Sequence, residues 1–438
     1  MNRIKVSSNR RFLSREDGTP FFYLGDTVWE LFHRYSYLEA ETYLRDRASK
    51  GFTVVQAVVL AEFNGLTEPN PNGHLPLEDL DVTRLNEAYV LDVDHIVDRA
   101  NKLGLVVGML PNWGDKWNRK WGAGPEIFTP DNAKSYGRTL GERYRDADLI
   151  WILGGDRPIE EDRHAAIVHA LAKGLAEGDG GVHLRTFHPM GGQTSSQYFH
   201  ESEWLDFNMW QSGHDRNHAN YMDVAGDYLE MPTKPCMDAE PGYEDHPAGF
   251  NIDNGFLDAY DCRKSIYWGL FAGALGHTYG CHPIWQKYQR GSVGITMVRT
   301  DWRDALNFPG SAQMQHARAL IESRPYFSRI PDQSLIIGEP GTGSKHVQAS
   351  RDENGRYAFI FLPWQSKVEV NLSDLSGDIF RAHWFDPRTG AADLISVFER
   401  QDSMTFESPH GGPDWVLVID DAAQEFPRPG STPYPDRD

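Results

Sequence analysis

The sequence predicts an α/β chain: a (β/α)8 barrel over residues 1–330, followed by a small antiparallel β-sandwich over residues 331–425. Three observations carry this reading. Apolar, β-branched runs alternate with capped amphipathic helices as far as Pro325; eight such runs can be counted; and beyond Pro325 the hydrophobic period changes from helical to two. No Gly-x-Gly-x-x-Gly follows the first run, so an open dinucleotide-binding sheet has no support.

Residues 21–28 supply the first strand. Ser36-Tyr37-Leu38-Glu39 is a capping box, opening a helix that stops at Lys50-Gly51. Residues 53–60 form the second strand. The next helix begins near Thr83, places Leu85, Val90, Val93, Ile96, Val97 and Ala100 on one face, and stops at Leu103-Gly104. The third strand covers 105–110, and Thr129-Pro130 opens a third helix with its cap and first-turn proline. Residues 149–153 are the fourth strand, and 184–188, 207–211, 235–240 and 276–281 complete the eight, with helical patterns at 258–274 and 311–323. Residues 357–362, 368–372, 380–385, 403–407 and 415–419 alternate as short strands, and Asp386-Pro387-Arg388-Thr389-Gly390 turns between two of them. Residues 426–438, rich in Pro, Gly, Ser and charge, predict a disordered tail.

With 438 residues, 40% hydrophobic and 24% charged, the chain has material for a deep core. A net charge of −20 argues against nucleic acid or an anionic membrane as partner and favours a neutral ligand. The start, Met1-Asn2-Arg3-Ile4-Lys5, has no apolar leader and no run is long enough to span a bilayer, so a cytoplasmic location is expected. Cys236, Cys262 and Cys281 are too few and too dispersed for a zinc motif. The 17 histidines include no His-x-His ending the first strand and no His-Glu-x-x-His, so no metal and no cofactor is expected. There is no Gly-x-Ser-x-Gly elbow and no phosphate loop.

A barrel keeps its chemistry at the C-terminal ends of its strands. Strand four ends in Gly154-Gly155-Asp156, and the seventh runs Pro235-Cys236-Met237-Asp238-Ala239-Glu240, so each delivers a carboxylate to one rim. Glycosidic cleavage needs such a pair, roughly 5–5.5 Å apart for retention of configuration and roughly 6.5–9.5 Å for inversion through a water. Asp156 and Glu240 are the expected catalytic pair. A lone Asp at a strand end is ordinarily a cap or an ion-pair partner, and the second carboxylate lifts the reading above that. Asp26 ends strand one and either binds a sugar hydroxyl or caps the following turn. Asp238 is expected on the face of Glu240, one layer deeper, raising its neighbour's pKa by repulsion. Glu62, after strand two, is a weaker carboxylate candidate. Trp113, Trp117 and Trp121 after strand three, Trp210 at the end of strand six and Trp285 after strand eight offer a stacking platform for sugar rings. Asn112, His188, Gln211 and His282 stand at or just past other strand ends, as hydrogen-bond partners for hydroxyls.

The segments Gly25-Asp26-Thr27-Val28-Trp29, Trp151-Ile152-Leu153-Gly154-Gly155-Asp156 and Asp238-Ala239-Glu240, together with Trp384-Phe385-Asp386-Pro387-Arg388-Thr389-Gly390, resemble the apiosidase-like glycoside hydrolases over nearly the whole chain. The resemblance implies a retaining barrel hydrolase of plant-type oligosaccharides, with pentofuranoside-directed activity in its range. It also implies Asp156 at the acid/base position and Glu240 as nucleophile; the residues alone leave the two roles open. Strand four of the wider clan ends in Asn-Glu, whereas here it ends in Gly-Asp. Asp is one methylene shorter, and Gly154-Gly155 permits the closer backbone approach that this demands. The C-terminal sandwich resembles a domain elsewhere labelled collagen-binding; nothing in 357–419 carries such a mechanism, and packing against the barrel is its expected role. Two alternatives stay open: a barrel that binds glycan without cleaving it, and a metal-dependent barrel hydrolase, which a chelator separates. Without a leader, small imported oligosaccharides are the expected substrates.

Overall fold

The computed structural model describes residues 2–438. Its first part runs β1 (Tyr23–Thr27), α1 (Tyr37–Ser49), β2 (Val54–Leu60), α2 (Glu87–Lys102), β3 (Val106–Asn112), α3 (Pro130–Tyr144), β4 (Leu149–Gly154), α4 (Asp162–Asp179), β5 (Arg185–His188), β6 (Asn208–Gln211), α5 (Asn220–Leu229), β7 (Cys236–Asp238), α6 (Ala259–Phe271), β8 (Gly276–Gly280) and α7 (Pro309–Glu322). The strands pair in parallel in the order β5-β4-β3-β2-β1-β8-β7-β6. Between β5 and β6 no ladder forms, and the ring is closed instead by Asp206 N donating to Arg185 O (2.9 Å) and Thr186 Oγ1 donating to Phe207 O (2.7 Å). Strands β2, β3 and β4 are buried along their whole length, because side chains on one face fill the barrel and those on the other meet the helices.

The helix punctuation explains the boundaries. Both halves of the capping box at Ser36 and Glu39 are present, and Thr129 forms another with Asn132. Helix α2 starts later than the expected position near Thr83: Asn86 caps it by accepting from Ala88 N, while Leu85 is held in an antiparallel bridge to Leu77. Among the described residues no helix is long and apolar enough to cross a membrane.

The second part holds β9 (Gln348–Asp352), β10 (Tyr357–Leu362), β11 (Lys367–Asn371), β12 (Ile379–Phe385), β13 (Ala392–Glu399), β14 (Ser403–Glu407) and β15 (Trp415–Asp421). A six-stranded antiparallel sheet orders Arg329–Pro331, β9, β10, β15, β12 and β13, and β11 and β14 lie in a three-stranded sheet with Ile336–Ile337. Strand β10 is buried on both faces for a specific reason. Ala358, Ile360 and Leu362 enter the core between the two sheets, whereas Phe359 and Phe361 stack on Phe271 and Tyr267 of α6 at 5.6 and 5.2 Å. Two buried forks tie the parts together: Arg263 to Asp414 (2.7 and 2.9 Å) and Arg324 to Asp420 (2.8 and 2.8 Å).

Residues 426–438 carry no helix or strand, yet they are fastened down where the composition predicts disorder. Tyr434 N donates to Glu322 O (2.7 Å), Tyr326 N donates to Asp436 Oδ2 (2.6 Å), and Ser8 N and Ser14 Oγ donate to Asp438 at 2.7 and 2.9 Å. The composition bias therefore marks a strap without regular backbone pairing, laid against the antiparallel pair of Ile4–Val6 and Leu13–Arg15.

Candidate active site

At the end of β4 three consecutive residues take positive φ: Gly154 (94°), Gly155 (109°) and Asp156 (52°). A Cβ on Gly154 would lie 2.4 Å from His188 O, and one on Gly155 2.8 Å from Trp113 Cε3, so both the dihedrals and the crowding require glycine. The turn is stitched on both sides, Gly155 N donating to His188 O (3.0 Å) and Gly114 N to Gly155 O (3.1 Å). This delivers Asp156 into a cleft of about 580 Å³ at the C-terminal rim of the barrel.

Glu240 reaches the same cleft from the loop after β7 and is buried. Its Oε2 lies 3.0 Å from His188 Nε2 and its Oε1 3.6 Å from His214 Nε2. Neither Glu240 Oε2 nor His188 Nε2 has an aligned hydrogen-bond partner, so the 3.0 Å approach is a close contact without hydrogen-bond geometry. Burial first, and then the charge of Glu240, push the Asp156 carboxyl up to about 6, against the opposing pull of Arg157 and His188. Glu62 also lines the cleft; burial pushes its carboxyl up to about 7, against Arg157.

Aromatic rings wall the cleft. Trp29 and Trp113 pack at 5.0 Å, Phe63 stacks on Trp285 at 5.8 Å, and Trp121, 60% exposed, lies over the Arg157 guanidinium at 4.5 Å. On the side of Glu240, His214 and His246 stack at 4.1 Å with Phe250 against both. Burial drives both imidazoles neutral: His214 falls well below its ordinary value and His246 drops to about 3. Among the described residues no group of three or more His, Cys, Asp or Glu side chains is placed to hold a metal ion. No residue of the C-terminal sandwich lines the cleft.

Of the residues singled out in the sequence, the cleft gathers Asp156, Glu240, Glu62, Trp113, Trp121, Gln211 and Trp285. His188 stands directly behind, against Glu240. His282 is corrected from ligand contact to orienting group: Trp285 Nε1 donates to its Nδ1 (3.1 Å), and its Nε2 donates to Thr296 O (3.0 Å), which spends both ring nitrogens. Asn112 is buried, donates through Nδ2 to Trp113 O at 2.8 Å, and does not line the cleft. Trp117 is a core residue, and Trp210, on the opposite face of β6 from Gln211, does not line the cleft.

Asp26 and Asp238 are also corrected. Asp26 is fully buried and accepts from Arg47 Nε (2.5 Å) and the Tyr43 hydroxyl (2.6 Å), tying β1 to α1. Breaking a buried pair strands its partner, so Asp26→Ala is expected to cost about 3–5 kcal/mol of stability in chemical denaturation. A wild-type unfolding midpoint with lost turnover would return Asp26 to the binding site. Asp238 accepts from Ser212 Oγ (2.7 Å) and Asn220 Nδ2 (3.1 Å), away from Glu240. The alternation argument fails because β7 ends at Asp238, and the two residues to Glu240 are not pleated. Tyr243, His214, His246 and Phe250 are cleft residues that the sequence reading missed; all come from loops whose path no periodicity encodes.

A barrel whose fourth and seventh strands bring two carboxyl groups into one aromatic-walled cleft is a glycoside hydrolase in layout. Residues 7–328 match the family model described as "Apiosidase-like, catalytic domain", and residues 330–420 the one described as "Putative collagen-binding domain of a collagenase". The chain belongs to the apiosidase-like family and is a glycosidase. A solved structure titled "Glycoside hydrolase" is 34% identical over 96% of this chain and 97% of its own, with a TM-score of 0.89. A glycoside hydrolase family 5 structure from Bacteroides vulgatus is 32% identical over 99% of this chain and 96% of its own, with a TM-score of 0.90. A further structure from the same organism, titled "putative glycoside hydrolase", at 18% identity and a TM-score of 0.69 over 96% of this chain and 82% of its own, shares the fold. No curated protein matches the chain.

Proposed function

We propose that the chain is a retaining glycosidase of plant-type oligosaccharides, with pentofuranosides within its range, in which Asp156 is the acid/base and Glu240 the nucleophile. The observation that supports this most is the pairing of these carboxyl groups in one cleft, with that of Asp156 pushed up to about 6. At neutral pH or just below, a fraction of Asp156 stays protonated beside Glu240, which is the division of labour that double displacement needs. Asp156 gives its proton to the departing oxygen as that oxygen leaves the anomeric carbon, and a Glu240 oxygen bonds to the same carbon. In the second half Asp156, now a carboxylate, takes a proton from water; the water oxygen bonds to the anomeric carbon and Glu240 is released. The apiosidase-like family supports the plant-glycan and pentofuranoside part of the reading. Trp113 and Trp285 present flat apolar faces to the C–H side of a sugar ring.

The test is the anomer first formed, followed by proton NMR on an oligosaccharide that the enzyme hydrolyses. Retention is expected. Inversion would make Glu240 a base acting on water and remove its role as nucleophile.

A further inference from the structure

Arg157 follows Asp156 in the chain, is fully buried, and lies where three rim loops meet. Its Nη1 donates both to Asp156 O (2.7 Å) and to Asp156 Oδ2 (2.9 Å), so one nitrogen grips the main chain and the side chain of the same residue. Its Nη2 donates to Glu62 Oε1 (2.9 Å), from the loop after β2. From the loop after β3, Trp121 covers the guanidinium, and two glycines clear space for it: a Cβ on Gly114 would lie 2.7 Å from Arg157 Cγ, and one on Gly122 2.6 Å from Arg157 Nη2. Asp156 itself stands in the left-handed region, a conformation that a non-glycine residue keeps only when its surroundings fix it.

We infer that Arg157, anchored by Glu62, is the positioning residue that holds Asp156 in the orientation from which it protonates the leaving oxygen. The inference rests on the acid role proposed above for Asp156. Rotation of a carboxyl about its side-chain bonds is what an acid on a short arm must avoid, and the two bonds from Nη1 close that rotation. Because Arg157 donates to Oδ2, the acidic proton belongs on Oδ1. The fork also selects arginine: a lysine ammonium has no planar pair of nitrogens with which to bind Asp156 and Glu62 in fixed directions.

The charged and polar groups facing Asp156 are Glu240, Arg157, His188 and Gln211; those facing Glu62 and Arg157 include Asp115, itself paired with Lys116 at 3.0 Å. Arg157 pulls the Asp156 pKa down, so its removal should move the descending limb of the pH profile to higher pH even as the rate falls.

The experiment uses leaving-group dependence, because a dinitrophenolate departs without a proton and a methoxide does not. Arg157→Met is expected to lose about 10²-fold in kcat on a methyl glycoside and no more than about threefold on the dinitrophenyl glycoside of the same sugar, with the limb displaced upward. Equal losses on both substrates with an unmoved limb would mean that Arg157 only supports the fold. Should Arg157→Met fail to give a cooperative thermal transition, Glu62→Ala, which removes the acceptor of Arg157 Nη2 whatever its charge, decides: the same discrimination at about tenfold is expected, and none overturns the inference. Asp156→Asn is run beside them. If it too shows no leaving-group discrimination, the acid assignment itself has failed, whereas discrimination there and none in the Arg157 and Glu62 variants rejects only the positioning role.

Discussion

Glu240→Ala is expected to reduce turnover on the order of 10⁴-fold or more, at the level seen when a covalent nucleophile is deleted, while the fold survives. The fold should survive because the neighbours of Glu240 are held by other groups: its Oε2 has no aligned partner, Tyr243, which bonds to the carboxylate, also accepts from Trp29 Nε1 (3.2 Å), and His188 and His214 are oriented from elsewhere. His188 Nδ1 donates to Pro189 O (3.1 Å), and the stack of His214 on His246 is independent of the carboxylate. Truncation leaves room beside the anomeric carbon, so azide added to the variant should attack there and give a glycosyl azide of configuration opposite to that of the substrate. Thermal unfolding near the wild-type midpoint together with undiminished hydrolysis would remove Glu240 from the reaction altogether.

Much of the architecture was legible because it is written in local chemistry. Eight strand positions follow from apolar runs bounded by glycine, and the capping boxes at Ser36 and Thr129 mark helix starts by side-chain hydrogen bonds that need no tertiary context. Four sandwich strands escaped, two of them the short pieces Arg329–Pro331 and Ile336–Ile337. Residues 392–399 form an edge strand with Leu394, Ile395 and Val397 all exposed, and the register shifts at Ala382/His383 of its partner, so no clean alternation survives. Residues 348–352 combine Gln, Ser, Arg and Asp, a polar string that is a strand only because β10 and Arg329–Pro331 flank it.

The cleft divides along the same line. Residues at strand ends could be placed by counting: Asp156, Gln211, Trp113 and Trp285 all reach it. Two aspartates at strand ends could not be sorted from sequence, because what separates Asp26 from Asp156 is the partner supplied from elsewhere. For Asp26 that partner is Arg47, in the last turn of α1, and the pair is fully buried; for Asp156 it is Arg157, which leaves the carboxyl partly exposed at the cleft. Glu62 was undervalued for the same reason. Its neighbour in sequence says nothing of Arg157, some ninety residues on, to which it is bonded.

Asp156 is expected to set the alkaline side of the pH profile. With its carboxyl pushed up to about 6, it holds the proton below that value and loses it above, so kcat/KM should fall about tenfold per pH unit beyond about pH 6. The sign follows from the causes: burial and the negative charge of Glu240 both disfavour the carboxylate, and Arg157 and His188 oppose them without winning. One of these causes is removed during the reaction. Once Glu240 is esterified its charge is gone, the Asp156 pKa falls, and the group that acted as acid is held as the base that the second half requires. Asp156→Asn should therefore lose on the order of 10²–10⁴-fold on substrates with poor leaving groups and abolish the limb near pH 6 on the activity that remains. A kcat/KM flat from about pH 5 to about pH 8 in the wild type would contradict the assignment, since an acid whose carboxyl is pushed up to about 6 must lose its proton inside that range.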